Sequence, residues 1–299
     1  MKQIILKGRE NVSLYLNVYE ITNPVAIVQV MHGMEEHQER YKELAEKLNL
    51  AGMSVVTSDM RGHGENCPKE DLGFFGYKNG AQNLIDDQKQ ITEYIQKTYP
   101  GIPIYIFAHS MGTITCRNVL QTNDDKYQKV ILSGLPFHQK AAYFGVPLAN
   151  LICLIKGGKT HGHFLKKMTT GGFNKKVTSP KTKLDWLSYN PSNVQTYLLD
   201  PLCGFSFTNA GYRDLIKLTA NMDKKRKYQV KNKNLKIAAF VGKDDPCTGF
   251  RKGTDKSVDF LRKLGYDVEI HRFAHMRHEI LNEDNKEDVF SDIIDFYLK

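Results

Sequence analysis

The sequence predicts an α/β fold, a mostly parallel central sheet covered by helices on both faces. Three observations predict it. Continuous β-branched or apolar runs at 25–31, 53–58 and 104–107 alternate with stretches of helical periodicity, the pattern of strands buried on both faces. One of these strands passes through a serine directly into a helix, at 104–121. After Gly134 about a hundred residues pass before the next clear buried strand, whereas a parallel crossover needs only roughly 30. The chain of 299 residues, with 41% hydrophobic and 25% charged residues, is long enough and apolar enough to bury a full core. That excludes a disordered chain, a collagen-like chain and a disulfide-stapled miniprotein.

The elements follow in order. Residues 2–7 and 12–20 read as two strands joined by a turn at Gly8–Asn11. Val25–Met31 is a buried strand, and a helix is expected from about Glu36, with Tyr41, Leu44, Ala45 and Leu48 on one face and Gly52 closing it. Met53–Ser58 is the next strand, and Leu84, Ile85, Gln88, Ile91 and Ile95 mark the next helix. Ile104–Phe107, Met111–Gln121 and Val130–Leu132 continue the alternation as strand, helix and strand. The interruption is an insertion at 135–207, followed by a returning helix near Ala210–Met222. Strand 235–241, helix 251–264, strand 267–273 and a last helix bearing Val289, Phe290, Ile293, Ile294 and Tyr297 complete the pattern. The domain expectation is therefore a core of 1–134 and 208–299 with 135–207 inserted. No internal repeat or low-complexity tract interrupts it.

The net charge of +9 is concentrated: residues 135–234 hold 17 Lys+Arg and 4 Asp+Glu, a net of +13, and the remainder nets −4. A basic segment favours anionic partners, and a solvated lysine-rich face is its plain structural reading. The run Lys224-Lys225-Arg226-Lys227 has no nucleic-acid-binding motif around it, so no nucleic-acid partner is expected. The N-terminal sequence MKQIILKGRENVSLYLNVYE carries charges through its middle, so no secretory signal is expected. The stretch Ala141–Ile155 is apolar nearly all round, contains Pro147 and Asn150, and is too short to span a bilayer. The five cysteines, Cys67, Cys116, Cys153, Cys203 and Cys247, form no CxxC pair and suit reduced thiols in a cytoplasmic protein.

In open α/β sheets ligands bind beyond the carboxyl ends of the strands, so chemistry is sought there. Ile104–Gly112 (IYIFAHSMG) places Ser110 on a tight strand-to-helix turn. Such a nucleophile elbow requires small residues two before and two after the serine. Ala108 and Gly112 meet that demand, Ala108 standing where a glycine is usual. A serine needs a base and an oxyanion site. Asp244 and Asp245 follow one strand and His275 and His278 follow the next, in the chain order serine, acid, histidine. The oxyanion donors would be the N–H of Met111 and that of Met34, in the turn His32-Gly33-Met34. Glu36, His37 and Arg40 look like supporting residues, and His161-Gly162-His163 reads as an exposed loop. No metal is expected, because zinc pairs on helices prefer i, i+4 spacing over the H-x-x-H at 275–278.

These motifs resemble a known family. HGMEEHQERY (32–41), DMRGHGEN (59–66), FAHSMG (107–112), VGKDDP (241–246) and MRHEILNE (276–283) are similar, in order, to the monoacylglycerol lipase and lysophospholipase group of serine hydrolases with the alpha/beta-hydrolase fold. The resemblance implies Ser110, Asp245 and His278 as nucleophile, acid and base. His275 then stands where relatives commonly have glycine. The resemblance also implies that His63 belongs to a structural loop, that 135–207 is a cap, and that no metal or organic cofactor is needed. The implied reaction is ester hydrolysis of a single-acyl-chain lipid. The rivals are a peptidase, a small-ester carboxylesterase and a non-catalytic binding module of the same fold. The apolar stretch 141–155 followed by Lys156, Lys159, Lys166, Lys167, Lys175 and Lys176 suggests peripheral contact with an anionic membrane surface. No obligate protein partner is implied.

Overall fold

The structure is a computed structural model that describes residues 1–137 and 141–299. The beginning of the expected insertion, 138–140, therefore lies outside the described residues. β1 (Lys2–Lys7) and β2 (Ser13–Tyr19) form an antiparallel pair. β3 (Ala26–Met31), β4 (Met53–Ser58), β5 (Ile104–His109), β6 (Lys129–Ser133), β7 (Lys236–Gly242) and β8 (Asp267–Phe273) run parallel to one another. The eight-stranded sheet has the order β1-β2-β4-β3-β5-β6-β7-β8. Strand order reverses between β3 and β5, so the crossovers before and after that point cover opposite faces.

α1 (Lys42–Leu50) and α9 (Lys286–Leu298) cover one face, packing Leu44, Leu48, Phe290 and Ile293 against Val28, Phe107 and Ile131 of the sheet. α2 (Gly80–Thr98), α3 (Met111–Asn123) and α8 (Phe250–Leu264) cover the other. On that face Leu84, Ile91, Val119 and Val258 meet Ile27, Ile106 and Val130. α1 begins later than the sequence suggests. Residues 33–37 form an irregular turn in which Glu35 takes φ 57°, and a short 3₁₀ turn over Gln38–Tyr41 precedes the α-helix. The polar stretch after β3 is thus turn rather than first helical turn, and it brings Met34 towards Ser110.

Between β6 and β7 lie α4 (Ala141–Lys156), α5 (His163–Thr169), α6 (Pro191–Leu199) and α7 (Asn209–Met222). α7 packs on α4 on one side and on α3 and α2 on the other. α6 starts with Asn190, whose side chain accepts the N–H groups of Ser192 and Asn193, and with Pro191 at the first helical position. α4 turns its small residues Gly145 and Ala149 inward and leaves Phe144, Leu151, Leu154 and Ile155 exposed. No helix among the described residues is long and apolar enough to cross a membrane.

Candidate active site

β5 delivers Ser110 at φ 50°, ψ −116°, immediately before α3. The left-handed φ costs a non-glycine residue strain of roughly 1–3 kcal/mol, so its surroundings must impose it. They do so through the backbone. Ser110 N–H donates to Ser133 O at 2.9 Å, and Ser110 O accepts from Thr113 N–H at 2.9 Å and Thr113 Oγ1–H at 2.7 Å. A side chain at Gly112 would run into the Met31 and His32 carbonyls, so this helix can approach β3 only with glycine there. Ala108 is completely buried, and its methyl is accommodated in the elbow.

Ser110 Oγ lies 2.8 Å from His278 Nε2, and His278 Nδ1 lies 2.8 Å from Asp245 Oδ2. All three residues are buried. With Nδ1–H donating to the carboxylate, Nε2 is left to accept the serine proton. Asp245 is fixed in turn by the Cys247 N–H, which donates to Oδ1 at 2.7 Å. Burial disfavours the imidazolium, but the Asp245 carboxylate, helped by Glu279 and Glu36, raises the pKa of His278 above its ordinary value. Gly134, at φ 55°, passes so close to the His278 ring that a Cβ would stand 3.0 Å from it.

The alternatives left open by the sequence separate here. His275 is exposed and takes φ 54° in the turn after β8, a conformation that favours glycine. Asp244 is partly exposed and accepts the Tyr189 hydroxyl at 3.0 Å. His63 is buried against Phe75, Phe205 and Phe207, accepts Glu35 N–H at Nε2, and burial pushes its pKa down to about 3. His161 is exposed, with Nδ1 at 3.2 Å from Ser206 O.

The turn carrying Met34 is braced by a buried ionic cluster. Glu36 Oε1 accepts Gly33 N–H and the Tyr41 hydroxyl, and Glu36 Oε2 accepts Arg40 Nη1 at 2.7 Å. Burial would raise the Glu36 pKa, yet Arg40, His109 and His32 together hold it down to about 2. The same guanidinium grips Glu279 through both nitrogens, at 2.7 and 2.8 Å, and Asn193 of α6 donates to Glu279 at 2.7 Å. Glu35, the neighbour of Met34, pairs with Lys166 of α5 at 2.8 Å and accepts the Tyr212 hydroxyl of α7 at 3.0 Å. The flagged Glu36 and Arg40 are thus structural braces, whereas Glu279 and Asn193, which meet Arg40, and Lys166, which meets Glu35, carry no spacing signal in the sequence.

A cavity of about 150 Å³ opens beside Ser110. It is lined by Met34 and Met111, by Ala142 and Gly145 of α4, by Met168 of α5, by Ile114, Leu215 and Ile216, and by Phe173 and Trp186. Trp186, the chain's one tryptophan, lies tilted against His278 with ring centroids 4.9 Å apart. His109 lies on the other side of His278, at 4.8 Å, and burial pushes its pKa down to about 4, so it stays neutral. Cys247 also borders the cavity, but burial first and Asp245 second push its thiol pKa well up, so it is not a thiolate.

A serine ester hydrolase of the alpha/beta-hydrolase fold is the class that this sheet and the related proteins define. The chain belongs to the family described as serine aminopeptidase, S33, whose model matches residues 22–285. It is 27% identical to a monoglyceride lipase homolog of Monkeypox virus over 277 residues, 88% of this chain and 85% of the relative. It is 25% identical to a phospholipase of Bacillus subtilis over 281 residues, 91% of this chain and 95% of the relative. Among solved structures, a thermostable carboxyl esterase from Bacillus coagulans superposes with a TM-score of 0.91 at 26% identity, covering 99% of this chain and 97% of that one.

The local balance of charges predicts a titration result. The pKa of His278, read by NMR of its ring nitrogens, should lie above the ordinary 6.5. In Asp245→Asn burial is opposed only by the more weakly acting Glu279 and Glu36, and the value should fall. A His278 pKa that does not move in that variant contradicts the assigned contact.

Proposed function

We propose that this chain hydrolyses single-acyl-chain lipid esters, a monoacylglycerol or a lysophospholipid, through an acyl-enzyme. Ser110 Oγ attacks the ester carbonyl as its proton passes to His278 Nε2. The N–H groups of Met34 and Met111 receive the developing oxyanion. The alcohol leaves with the proton from His278, and water then attacks the acyl-enzyme with His278 as base. Asp245 keeps Nδ1–H pointed at itself and stabilises the imidazolium. The supporting geometry is the hydrogen-bonded series Ser110–His278–Asp245.

The observation that carries the substrate class is the uncharged cavity: among the described residues lining it, none is acidic or basic. An acyl chain needs only apolar walls there. The family description favours a second reading, an aminopeptidase, but that activity has to hold a substrate ammonium, and the cavity lining offers it no carboxylate. The names of the viral and bacillar relatives agree with a lipid ester. A small-ester carboxylesterase, suggested by the Bacillus coagulans likeness, would share the same chemistry with a shorter acyl group. In this reading 135–207 acts as a cap on a core of 1–134 and 208–299. Its support is that Gly145, Met168, Phe173 and Trp186 all border the cavity with Ser110. Leu215 and Ile216 of α7 line it as well, so the acyl site extends past the cap boundary.

The cap also offers a surface for peripheral contact with anionic lipid. Phe144, Leu154 and Ile155 are 82%, 83% and 71% exposed, the exposed Lys156 ends the same helix, and the exposed Lys167 lies in the next one, α5. Lys166, in contrast, is turned inward onto Glu35 and is not free to serve that surface, while the exposed Lys176 lies over the Phe250 ring.

Ser110→Ala should lose on the order of 10⁴-fold or more in ester turnover while keeping its circular dichroism spectrum. His278→Ala should be nearly as inactive, and His275→Ala should retain most activity. Wild-type enzyme should turn over monoacylglycerols or lysophospholipids much faster than aminoacyl amides. Preference for aminoacyl amides would replace the lipid reading with the peptidase one.

Binding to anionic vesicles should weaken as salt rises, because lysine contributions of about 1 kcal/mol each are screened within about 8 Å at physiological ionic strength. Turnover of a soluble short-chain ester should not change with salt. Vesicle binding that ignores lipid charge removes the electrostatic part of the surface, and absence of binding removes the surface altogether.

A further inference from the structure

His37, Asp200 and Cys203 bring an imidazole nitrogen, a carboxylate oxygen and a thiol sulfur within 4.8 Å of one another. His37 is buried in the turn after β3, next to Glu36, while Asp200 and Cys203 follow α6. The two parts of the cluster are separated by 163 residues in sequence and meet through His37 Nε2 and Asp200 Oδ2, 2.8 Å apart. The backbone sets the second half in place. Cys203 N–H donates to Asp200 O at 3.0 Å, and Leu202 N–H donates to Asp200 Oδ1 at 2.8 Å, which leaves Oδ2 to face the imidazole.

We propose that His37, Asp200 and Cys203 form a binding site for a zinc-class divalent metal ion that ties the turn after β3 to the helices inserted between β6 and β7. The donor chemistry selects this class. One nitrogen, one oxygen and one sulfur suit a borderline cation such as Zn²⁺, whereas Ca²⁺ and Mg²⁺ demand oxygen ligands. The ion would replace the proton shared by Nε2 and Oδ2, and the thiol would release its proton to solvent as it bound. A fourth position remains for water. Burial first, then Glu36, Asp200 and Glu279, push the Cys203 thiol pKa up against the guanidinium of Arg40, so the thiol gives up its proton only as the cation binds.

A second mixed cluster, Asp245, Cys247 and His278, has donors just as close together. Its imidazole is engaged at both nitrogens, by Asp245 and by Ser110, and Asp245 already accepts the Cys247 N–H. A metal there would have to dismantle the Ser110 hydrogen bond. Among the described residues, His37 has its contact with Asp200 to exchange for a metal–ligand bond.

The test is titration of the full-length protein with Co²⁺, which reports thiolate ligation by a charge-transfer band, and with Zn²⁺ in competition. The expected result is one Co²⁺ per chain with a thiolate band that Zn²⁺ abolishes. Cys203→Ser should lose the band, and His37→Gln and the surface change Asp200→Asn should each weaken Zn²⁺ binding at least about 10-fold. Cys247→Ser should behave as wild type. The proposal is overturned if the wild type shows no thiolate band, if the band survives Cys203→Ser, if neither His37→Gln nor Asp200→Asn weakens binding, or if the band requires Cys247. Hydrolysis at Ser110 plays no part in the readout, so this site and the reaction stand or fall separately.

Discussion

The left-handed backbone of Ser110 is the constraint on which the rest of the site depends. A non-glycine residue at φ 50° persists only where its neighbours leave no alternative. Here the alternatives are closed by the register of three strands. Met31 pairs with Ala108, Ala108 pairs with Leu132, and His109 pairs with Ser133, which sets the Ser133 carbonyl where it accepts Ser110 N–H. A shift of one residue in either pairing would turn every buried side chain of β5 to the other face. The apolar sheet thus does more than fill a core. It holds a hydroxyl at the rim in a conformation the isolated sequence would not adopt.

The second requirement is that the loops after β3 and β8 meet the serine together. Arg40 links them, bonding Glu36 of the first and Glu279 of the second, which lies 239 residues further along the chain. Breaking a buried pair by removing one partner costs about 3–5 kcal/mol, because it leaves an uncompensated charge behind. That is several times the worth of an exposed surface pair, about 0–1 kcal/mol, so these braces outweigh the many lysine contacts at the surface. Asn193 and Tyr197 extend the same cluster into α6, with Arg40 lying 5.0 Å from the Tyr197 ring centre. The inserted helices are therefore joined to the loop that bears His278 as well as to the cavity.

The sequence made the architecture legible because buried parallel strands are written as largely apolar runs, as β3 to β7 are, while the partly exposed β8, DVEIHRF, alternates. It made Ser110 legible because the elbow demands small residues at fixed offsets. The choice of His278 over His275 was not a matter of spacing. It came through resemblance, and the structure supplies a physical counterpart in the positive φ of His275. The start of α1 was misread because Glu36, His37 and Arg40 look like a charged first turn, while Glu35 adopts a backbone that no helix contains. Trp186, Lys166 and Cys247 could not be found in advance. Each reaches the site through tertiary contact, from segments with no periodicity to betray them.

The most direct measurement is the mass and location of the acyl adduct formed when a slowly deacylating ester is mixed with the enzyme and the reaction is quenched. Peptide mapping should find one acyl group per chain, on the hydroxyl of Ser110, with none on Cys247, whose thiol is held protonated by burial and by Asp245. An adduct on Cys247, or turnover of the ester without any adduct on Ser110, would contradict the proposal that Ser110 is the nucleophile.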